Sequence, residues 1–233
     1  MPLRIGHRGA AGTHPENTMA AFRRAVELGC DGVEFDVHRT SDGQIIVMHD
    51  FFLGRTANGE GLIMATTLEQ LKQLDAGSWK APEFAGERIP TLVELIRKTP
   101  ASLMLFMEMK AGSVHYPGIE EDVVRIIREE GALERFQISS FDHKCLRRIH
   151  ELAPEIPLGM LYSGNPIDPV GMAKACGASA LHPSADFVKP EVVAEAHAAG
   201  LQVNVWTCNP PWLIEAMKLC GVDGIMSDYP DRI

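Results

Sequence analysis

The chain has 233 residues, of which 45% are hydrophobic and 23% charged, and its formal net charge is -9. This length and composition fit one large globular domain, and a single α/β barrel lies within the range. The acidic balance argues against a general nucleic-acid-binding protein, which needs a basic face. It still allows an anionic ligand, because a few cations or a metal ion can reverse the charge inside a cleft.

Several features of the sequence favour a cytoplasmic protein. The N-terminus enters a strand pattern without a long apolar segment, so we expect no signal peptide. No apolar run is long enough to span a bilayer, which predicts no stable membrane insertion. The five cysteines are odd in number and form no C-x-x-C pair, which predicts free thiols in a reducing compartment.

Short apolar strand patterns alternate with helical patterns along almost the whole chain. The predicted strands are Arg4–Gly6, Gly32–Val37, Leu103–Glu108, Phe136–Ser139, Pro157–Leu161, Ala178–His182, Leu201–Trp206 and Gly224–Ser227. About eight strand–helix units predict a closed α/β barrel of the TIM (β/α)8 type, as one domain over residues 1–233. A doubly wound open sheet is the alternative, but no G-x-G-x-x-G follows the first strand.

The first predicted strand ends at His7-Arg8-Gly9, and a helix begins only after Pro15-Glu16-Asn17-Thr18. Ordering two polar side chains beside a glycine loop costs conformational entropy unless they contact something. His7 and Arg8 are therefore candidate site residues. Residues 16–18 are typical of a helix start, and Asn17 could also brace the neighbouring loop by hydrogen bonds.

Glu34 and Asp36 lie two residues apart on the second predicted strand, so their side chains share one face. If that face points into the barrel, the two carboxylates repel each other and lose hydration unless a cation lies between them. A hard divalent ion such as Mg²⁺ or Ca²⁺ would meet this need. In the alternative, both acids lie outside and pair with basic helix residues, while Val33, Phe35 and Val37 fill the barrel.

A hairpin and a candidate insertion follow the second strand. Asp42-Gly43 lies between two apolar runs and predicts a two-residue hairpin loop, in which Asp36 faces His49. His49 then returns to the level of the carboxylates. Residues 51–88 do not follow the barrel repeat, so we expect a small insertion at the mouth of the site. A decorative subdomain without a role at the site is the alternative.

Two later strands end in further candidates. Glu108 and Lys110 share one face, and because consecutive barrel strands are neighbours, Glu108 would join the acids and Lys110 would face an anion. Taken alone, this pair would be interpreted as a surface ion pair. Trp206 either forms an apolar wall for a glycerol-sized group or packs in the core.

Together these residues favour phosphodiester cleavage. A cation held by oxygen ligands, flanked by Arg and Lys, suits a phosphoryl group. Two histidines can act as general acid and base near neutral pH. Of the remaining histidines, His14 is left unassigned, and His115 follows Lys110 and could contact a substrate head group. We expect His182 near the mouth without a chemical role. Surface or helix-packing positions are expected for His38, His143, His150 and His197.

The motifs resemble those of the glycerophosphodiester phosphodiesterase family, in its compact bacterial cytoplasmic form. The resemblance covers essentially the whole chain, and the motifs together are highly specific. They are H-R-G and P-E-N-T in residues 7–18, E-x-D, T-x-D-G and H-D in residues 34–50, E-x-K in 108–110, W-T-x-N in 206–209 and the tail at 224–230.

The resemblance implies a TIM barrel with a small inserted region. It also implies hydrolysis of a deacylated phospholipid to glycerol 3-phosphate and an alcohol. By motif position, Glu34, Asp36 and Glu108 would hold one divalent metal ion, Mg²⁺ or Ca²⁺, and His7 and His49 would be the acid–base pair.

The resemblance also implies how the substrate binds. Arg8 and Lys110 would contact the phosphate, and Trp206 would lie beside the glycerol. The expected partner is a small-molecule glycerophosphodiester rather than a nucleic acid, and a homodimer is compatible with the sequence. One alternative is a lipid-directed phosphodiesterase of the lysophospholipase D type, which would need an apolar rim or a basic membrane-facing patch. Another is a barrel that binds phosphodiesters without turning them over.

Overall fold

The computed structural model of the chain describes residues 1–110 and 112–233. Its strands are β1 (Leu3–Gly6), β2 (Gly32–Arg39), β3 (Ile45–Val47), β4 (Met104–Met109), β5 (Phe136–Ser140), β6 (Leu158–Tyr162), β7 (Ala180–Pro183), β8 (Gln202–Val205) and β9 (Gly224–Ser227). Its helices are α1 (Met19–Glu27), α2 (Leu68–Gln73), α3 (Leu92–Lys98), α4 (Gly112–His115), α5 (Ile119–Glu129), α6 (His143–Leu152), α7 (Pro169–Ala175), α8 (Pro190–Ala198) and α9 (Pro211–Cys220). Within these described residues, no helix has the length and apolarity needed to cross a membrane.

Parallel strands close into an eight-stranded barrel. The ring runs β1-β9-β8-β7-β6-β5-β4-β2, and β1 pairs with β2 to complete it. β3 lies outside the ring and pairs antiparallel with β2. The predicted TIM barrel is therefore confirmed, and the open sheet is excluded. Because β4 lies beside β2, Asp36 is in register with Glu108.

Alternation along β2 separates its apolar and acidic side chains. Val33, Phe35 and Val37 are fully buried in the hydrophobic layer between the barrel and the helices. Glu34 and Asp36 must then point to the inner side of the barrel, since successive side chains of a strand face opposite ways. The arrangement with both acids on the outer face does not occur.

The β2–β3 hairpin has a three-residue loop instead of the predicted two-residue loop. Thr40 and Gln44 close it by a backbone hydrogen bond of 2.9 Å, and within the loop only Gly43 has a positive φ, of 79°. A two-residue type I′ loop requires positive φ at both positions. The pairing therefore shifts by one residue, so Met48 rather than His49 bonds to the backbone of Asp36. The predicted pairing of Asp36 with His49 is wrong, although His49 still follows β3 at the level of the acids.

The segment between β3 and α3 has a small hydrophobic cluster of its own. Ile63, Leu71 and Ile89 pack there against Ile46 and Met48, which come from the hairpin. Ile46 and Met48 are therefore the anchor of the segment on the barrel. This attachment holds the residues that follow His49 beside the mouth.

Candidate active site

The loop after β1 is held in an uncommon backbone conformation. Arg8 has φ of 51° and Gly9 of 83°, both in the left-handed region. A Cβ at Gly9 would lie 2.6 Å from the backbone of Ala21 on α1, so glycine is required there. The backbone N–H of Arg8 donates to the Glu34 carboxylate at 3.1 Å. The backbone carbonyl of Arg8 accepts from the backbone N–H of Asn17 at 3.1 Å. These contacts maintain the strained residue and direct the H-R-G motif at the acids of β2.

Three buried carboxylates converge at the C-terminal ends of β2 and β4. Oxygen atoms of Glu34, Asp36 and Glu108 lie within 4.8 Å of one another. Lys110 Nζ lies 2.7 Å from Glu108 and 3.1 Å from Asp36. Arg8 Nε lies 3.4 Å from Asp36. The structure thus brings together the three acids and the two cations that the sequence singled out.

Burial and mutual repulsion act on the acids. Burial, followed by the charge of Asp36, raises the pKa of Glu34 from 4.5 to about 7 and that of Glu108 to about 8. Burial also acts to raise the pKa of Asp36, but Lys110 and Arg8 outweigh it and hold this pKa well below its usual range. Without a further cation, the site therefore keeps protons on carboxyl groups near neutral pH.

The donor set fits a hard divalent cation. Carboxylate oxygens are the ligands that Mg²⁺ and Ca²⁺ prefer. Oδ1 of Asp36 is buried, yet no donor among the described residues forms a hydrogen bond to it, and Lys110 reaches it only as an ion pair. A buried carboxylate oxygen without a hydrogen bond is costly, and metal ligation would satisfy it. Glu34, Asp36 and Glu108 could therefore hold one metal ion.

We expect the metal-free protein to lose stability as the pH rises through the raised pKa values of Glu34 and Glu108. The folded protein keeps a proton on Glu34 between pH 4.5 and about 7 and on Glu108 between pH 4.5 and about 8, where the unfolded chain has released both. Ca²⁺ or Mg²⁺ should then raise the unfolding temperature more at about pH 8 than at about pH 6, because ligation needs the ionised acids. Thermal unfolding in EDTA and in each ion checks this, and an equal metal effect at both pH values would argue against it.

A carboxylate orients each candidate histidine through its Nδ1 atom. His7 Nδ1 lies 2.6 Å from Asp228, which directly follows β9, and His49 Nδ1 lies 2.7 Å from Asp50. With the proton on Nδ1, Nε2 is the atom of each ring that can exchange a proton with a substrate. His7 Nε2 lies 3.8 Å from Glu34, and both rings line the same cleft.

The two histidines have opposite pKa shifts. Burial acts to lower the pKa of His7, but the hydrogen bond with Asp228 and the charge of Glu34 outweigh it and raise the pKa. For His49, burial is the largest influence and lowers the pKa; Lys110 and Arg8 also act to lower it, against the opposing effects of Asp36 and Asp50. In the metal-free protein His7 therefore keeps its proton to a higher pH than His49 does.

An ion-pair network links the insertion to the site. Arg55 pairs with Asp50 and, at 2.8 Å, with Glu16, and Glu16 accepts a hydrogen bond from Arg8 at 2.7 Å. Because Asp50 also orients His49, one network fixes the positions of both His49 and Arg8. The sequence indicated neither Arg55 nor the role of Asp50, since both depend on how the insertion folds back.

Asp228 is a further site residue that sequence reasoning missed. Asn209 donates to its carboxylate at 2.6 Å, and Asn209 Oδ1 accepts from the Asp228 amide at 2.9 Å. A signal was present, since Asp228 follows the last strand and that strand pairs with β1, which carries His7 at its end. Asn17 contacts the neighbouring loop through its backbone N–H, which donates to the Arg8 carbonyl at 3.1 Å, while its side chain donates to Asp36 on β2 at 2.9 Å.

We expect Asp228→Asn to lower the pKa of His7 and to slow turnover. The variant removes the carboxylate that raises this pKa, and an amide donor facing Nδ1 would move the ring proton to Nε2. The rate should fall by about tenfold or more, up to the roughly 10²–10⁴ that one acid–base group supplies. NMR titration of His7 in the metal-free protein, together with steady-state kinetics, checks both effects. An unchanged titration of His7 would refute the role given to Asp228.

Trp206 forms an apolar wall of the cleft. Its indole N–H donates to the carbonyl of His182 at 2.8 Å, and its ring packs edge-to-face against Phe141 with 5.6 Å between centroids. Leu161 and Met226 extend this apolar side. Charged residues form the opposite side, so the cleft can accept a ligand with one ionic and one carbon-rich part.

Two histidines lie deeper than expected. His38 is fully buried and contacts the Tyr116 hydroxyl at 2.7 Å and the backbone carbonyl of His49 at 3.0 Å, so it supports the position of His49. His182 lies inside the barrel against Gln137 at 2.8 Å instead of lining the mouth. Burial lowers the pKa of His38 to about 4 and that of His182 to about 3, which keeps both rings neutral.

Fold and cleft together define a TIM-barrel hydrolase of the phosphodiesterase class. The sequence model of the glycerophosphoryl diester phosphodiesterase family matches residues 7–232. The chain belongs to this family of enzymes. The resemblance seen in the motifs and the expected class of enzyme are thereby confirmed.

Individual relatives agree with the family assignment. The chain is 43% identical over 232 residues to the glycerophosphodiester phosphodiesterase of Caldanaerobacter subterraneus subsp. tengcongensis. The alignment covers 99% of this chain and 96% of that protein. The chain is 39% identical over 232 residues to the enzyme of that name from Bacillus altitudinis, with 98% and 95% covered. A solved phosphodiesterase of Oleispira antarctica, in complex with the product sn-glycerol-3-phosphate, is 35% identical with a TM-score of 0.91, covering 98% of this chain and 94% of that one.

Proposed function

We propose that the chain acts as a single catalytic domain, with an insertion at about residues 51–88, in the metal-dependent hydrolysis of glycerophosphodiesters. The substrates are deacylated phospholipids such as glycerophosphocholine or glycerophosphoethanolamine, and the products are sn-glycerol 3-phosphate and an alcohol. The observation that carries this proposal is the convergence of three buried carboxylates beside two carboxylate-oriented histidines. Family membership and the product bound by the Oleispira antarctica relative support the choice of substrate.

Charge neutralisation at the phosphate is the first requirement of this reaction. A divalent ion, Mg²⁺ or Ca²⁺, held by Glu34, Asp36 and Glu108 would neutralise phosphoryl oxygens and make the phosphorus easier to attack. Arg8 and Lys110, which balance the acids in the metal-free protein, would bind the remaining phosphoryl oxygens. Their donors supply positive charge where the transition state spreads negative charge.

Proton transfer is the second requirement, and His7 and His49 would carry it out. One Nε2 removes a proton from the attacking oxygen, and the other Nε2 protonates the departing alkoxide. The attacking oxygen belongs either to water or to the 2-hydroxyl of the substrate, and the second route passes through a cyclic phosphate that water opens. In both routes Asp228 and Asp50 stabilise the imidazolium that forms on their partner.

The glycerol would lie against Trp206. The indole ring has a partner for its only N–H in the carbonyl of His182, so its face remains available for carbon contacts. Phe141 packs perpendicular to the indole ring, with 5.6 Å between the ring centroids. The glycerol hydroxyls then point to the ionic side of the cleft.

We place the enzyme in the cytoplasm. Its five cysteines are free, which fits a reducing compartment. Burial raises the pKa of Cys30 to about 11 and that of Cys208 to about 12, so these thiols stay protonated and unreactive.

Release of glycerol 3-phosphate from both substrates, first in EDTA and then with single metals added back, tests the proposal. We expect EDTA to abolish release and Mg²⁺ or Ca²⁺ to restore it. Full activity in EDTA would contradict the metal requirement. The absence of glycerol 3-phosphate with every metal would contradict the substrate.

A further inference from the structure

A hollow on the outer side of the barrel lies between the insertion and the helices α1 and α3. Four basic side chains line it: Arg23 on α1, Lys72 on α2, Arg88 at the end of the insertion and Lys98 on α3. We call this hollow the basic hollow. Among the described residues, none lines both the basic hollow and the active-site cleft. It is therefore a feature of its own.

The charges of the basic hollow do not balance. Glu87 and Glu94 are the acids among its described lining residues, so four basic side chains face two carboxylates. The whole chain has a net charge of -9, and this local excess of positive charge has the opposite sign. A concave surface lined by one sign of charge attracts ions of the other sign. The basic hollow thus favours an anion.

The two acids are also engaged by backbone donors at helix starts. Glu87 accepts from the backbone N–H of Ala20, in the first turn of α1, at 3.3 Å. Glu94 accepts from the backbone N–H of Thr91, the N-cap residue of α3, at 2.8 Å. Each carboxylate therefore divides its charge between the start of a helix and the neighbouring cations, and it neutralises those cations only in part.

Two of the cations keep donors that a ligand can use. Arg88 donates to the backbone carbonyl of Leu74 at 2.9 Å, and no carboxylate of the described residues lies within ion-pair distance of it. Lys98 Nζ lies 4.0 Å from Glu94, at the outer limit of an ion pair. Guanidinium and ammonium groups bind phosphoryl oxygens by charge-assisted hydrogen bonds.

We propose that the basic hollow binds a dianionic phosphate group, carried either by inorganic phosphate or by a phosphomonoester such as glycerol 3-phosphate. The double negative charge of such a group matches the excess of positive charge, and a phosphodiester, with a single negative charge, matches it less well. The bound anion joins Lys72 and Arg88 of the insertion to Arg23 and Lys98 of the barrel helices, so it fastens the insertion to the barrel. The site is separate from the active site and does not depend on the proposed function.

The double variant Arg88→Gln/Lys98→Gln tests this inference, and Arg125→Gln/Lys174→Gln is the matched control. Arg125 is exposed and pairs with a glutamate four residues away on its helix, as Lys98 does, and Lys174 is exposed in the last turn of α7. Both variants therefore remove the same charge.

Calorimetric titration with inorganic phosphate and with sn-glycerol 3-phosphate, in EDTA and at constant ionic strength, compares the two variants with the wild type. We expect the wild type and the control to show a binding event that the double variant lacks or that it weakens by about tenfold or more. Binding at the active site would be common to all three proteins. Equal unfolding temperatures in chloride alone verify that the substitutions leave the fold intact.

Three outcomes of the titration overturn the inference. They are no binding by the wild type, equal binding by all three proteins, and an equal loss in the control, which would show a general effect of charge. Tighter binding of glycerol 3-phosphate than of phosphate would identify a phosphomonoester as the ligand, and the reverse order would identify the free ion. Both orders support the inference.

A crystal of the wild type soaked in tungstate, a tetrahedral dianion, tests the location of the site without any substitution. We expect an anomalous peak in the basic hollow, within hydrogen-bonding distance of Arg88 and Lys98. Anomalous peaks confined to other parts of the molecule would contradict the inference.

Discussion

His7→Ala and His49→Ala should each lower kcat by a factor of about 10²–10⁴, because a positioned acid or base accelerates the reaction by this much. The KM for glycerophosphocholine should change much less, since proton transfer is an interaction of the transition state. His197→Ala is the matched control: His197 forms the same kind of pair with Asp223 at 2.8 Å, but on the exposed end of α8. Near-normal turnover in both site variants would refute the acid–base assignment.

The leaving group can distinguish the two histidines. A substrate with an acidic alcohol, such as a nitrophenyl ester of glycerol phosphate, departs without protonation. The variant that lacks the general acid should therefore recover most of its rate on this substrate, and the variant that lacks the base should not. Equal recovery of both variants would show that neither ring protonates the alkoxide.

Glu34→Gln should remove activity and at the same time stabilise the metal-free protein. The variant keeps an oxygen acceptor for the Arg8 amide but loses the ionic ligand. Metal affinity should weaken by more than the roughly 10–100-fold that loss of a supporting partner costs. The raised pKa of Glu34, about 7, means that ionising this residue opposes folding above that pH. Removing the charge should therefore gain about 1–3 kcal/mol at alkaline pH.

Calorimetric titration with Ca²⁺ and Mg²⁺, together with thermal unfolding in EDTA at about pH 8, measures both effects of Glu34→Gln. Glu60→Gln, a change at an exposed carboxylate in the insertion, serves as the control. The control should match the wild type in metal affinity and in unfolding temperature. Unaltered metal affinity in Glu34→Gln, or a lower unfolding temperature, would be incompatible with a strained acidic site that a cation relieves.

Periodicity predicted the ionic part of the site well. A strand repeats every two residues, so Glu34 and Asp36 had to share a face, and ring order placed Glu108 beside them. Periodicity alone left the direction of that face open. The decisive fact was that Val33, Phe35 and Val37 are the residues that pack under the helices.

Contacts made by loops could not be predicted in this way. Asp-Gly supports both two-residue and three-residue hairpins, so the register of His49 was wrong by one position. Asp228 reaches the site because β9 closes the ring beside β1, and Arg55 reaches it because the insertion folds back to the mouth. Neither contact leaves a periodic pattern in the sequence. His38 looked like a surface residue, but Tyr116, distant in sequence, gives its ring a buried partner.

We expect the acids of two neighbouring strands to share one cation between the two histidines. Anomalous diffraction from a crystal grown with Mn²⁺ tests this most directly. We expect one strong peak within bonding distance of oxygen atoms of Glu34, Asp36 and Glu108, in the cleft that His7 and His49 line. A peak on other carboxylates, or none at these three acids while they stay paired with the neighbouring cations, would contradict the account.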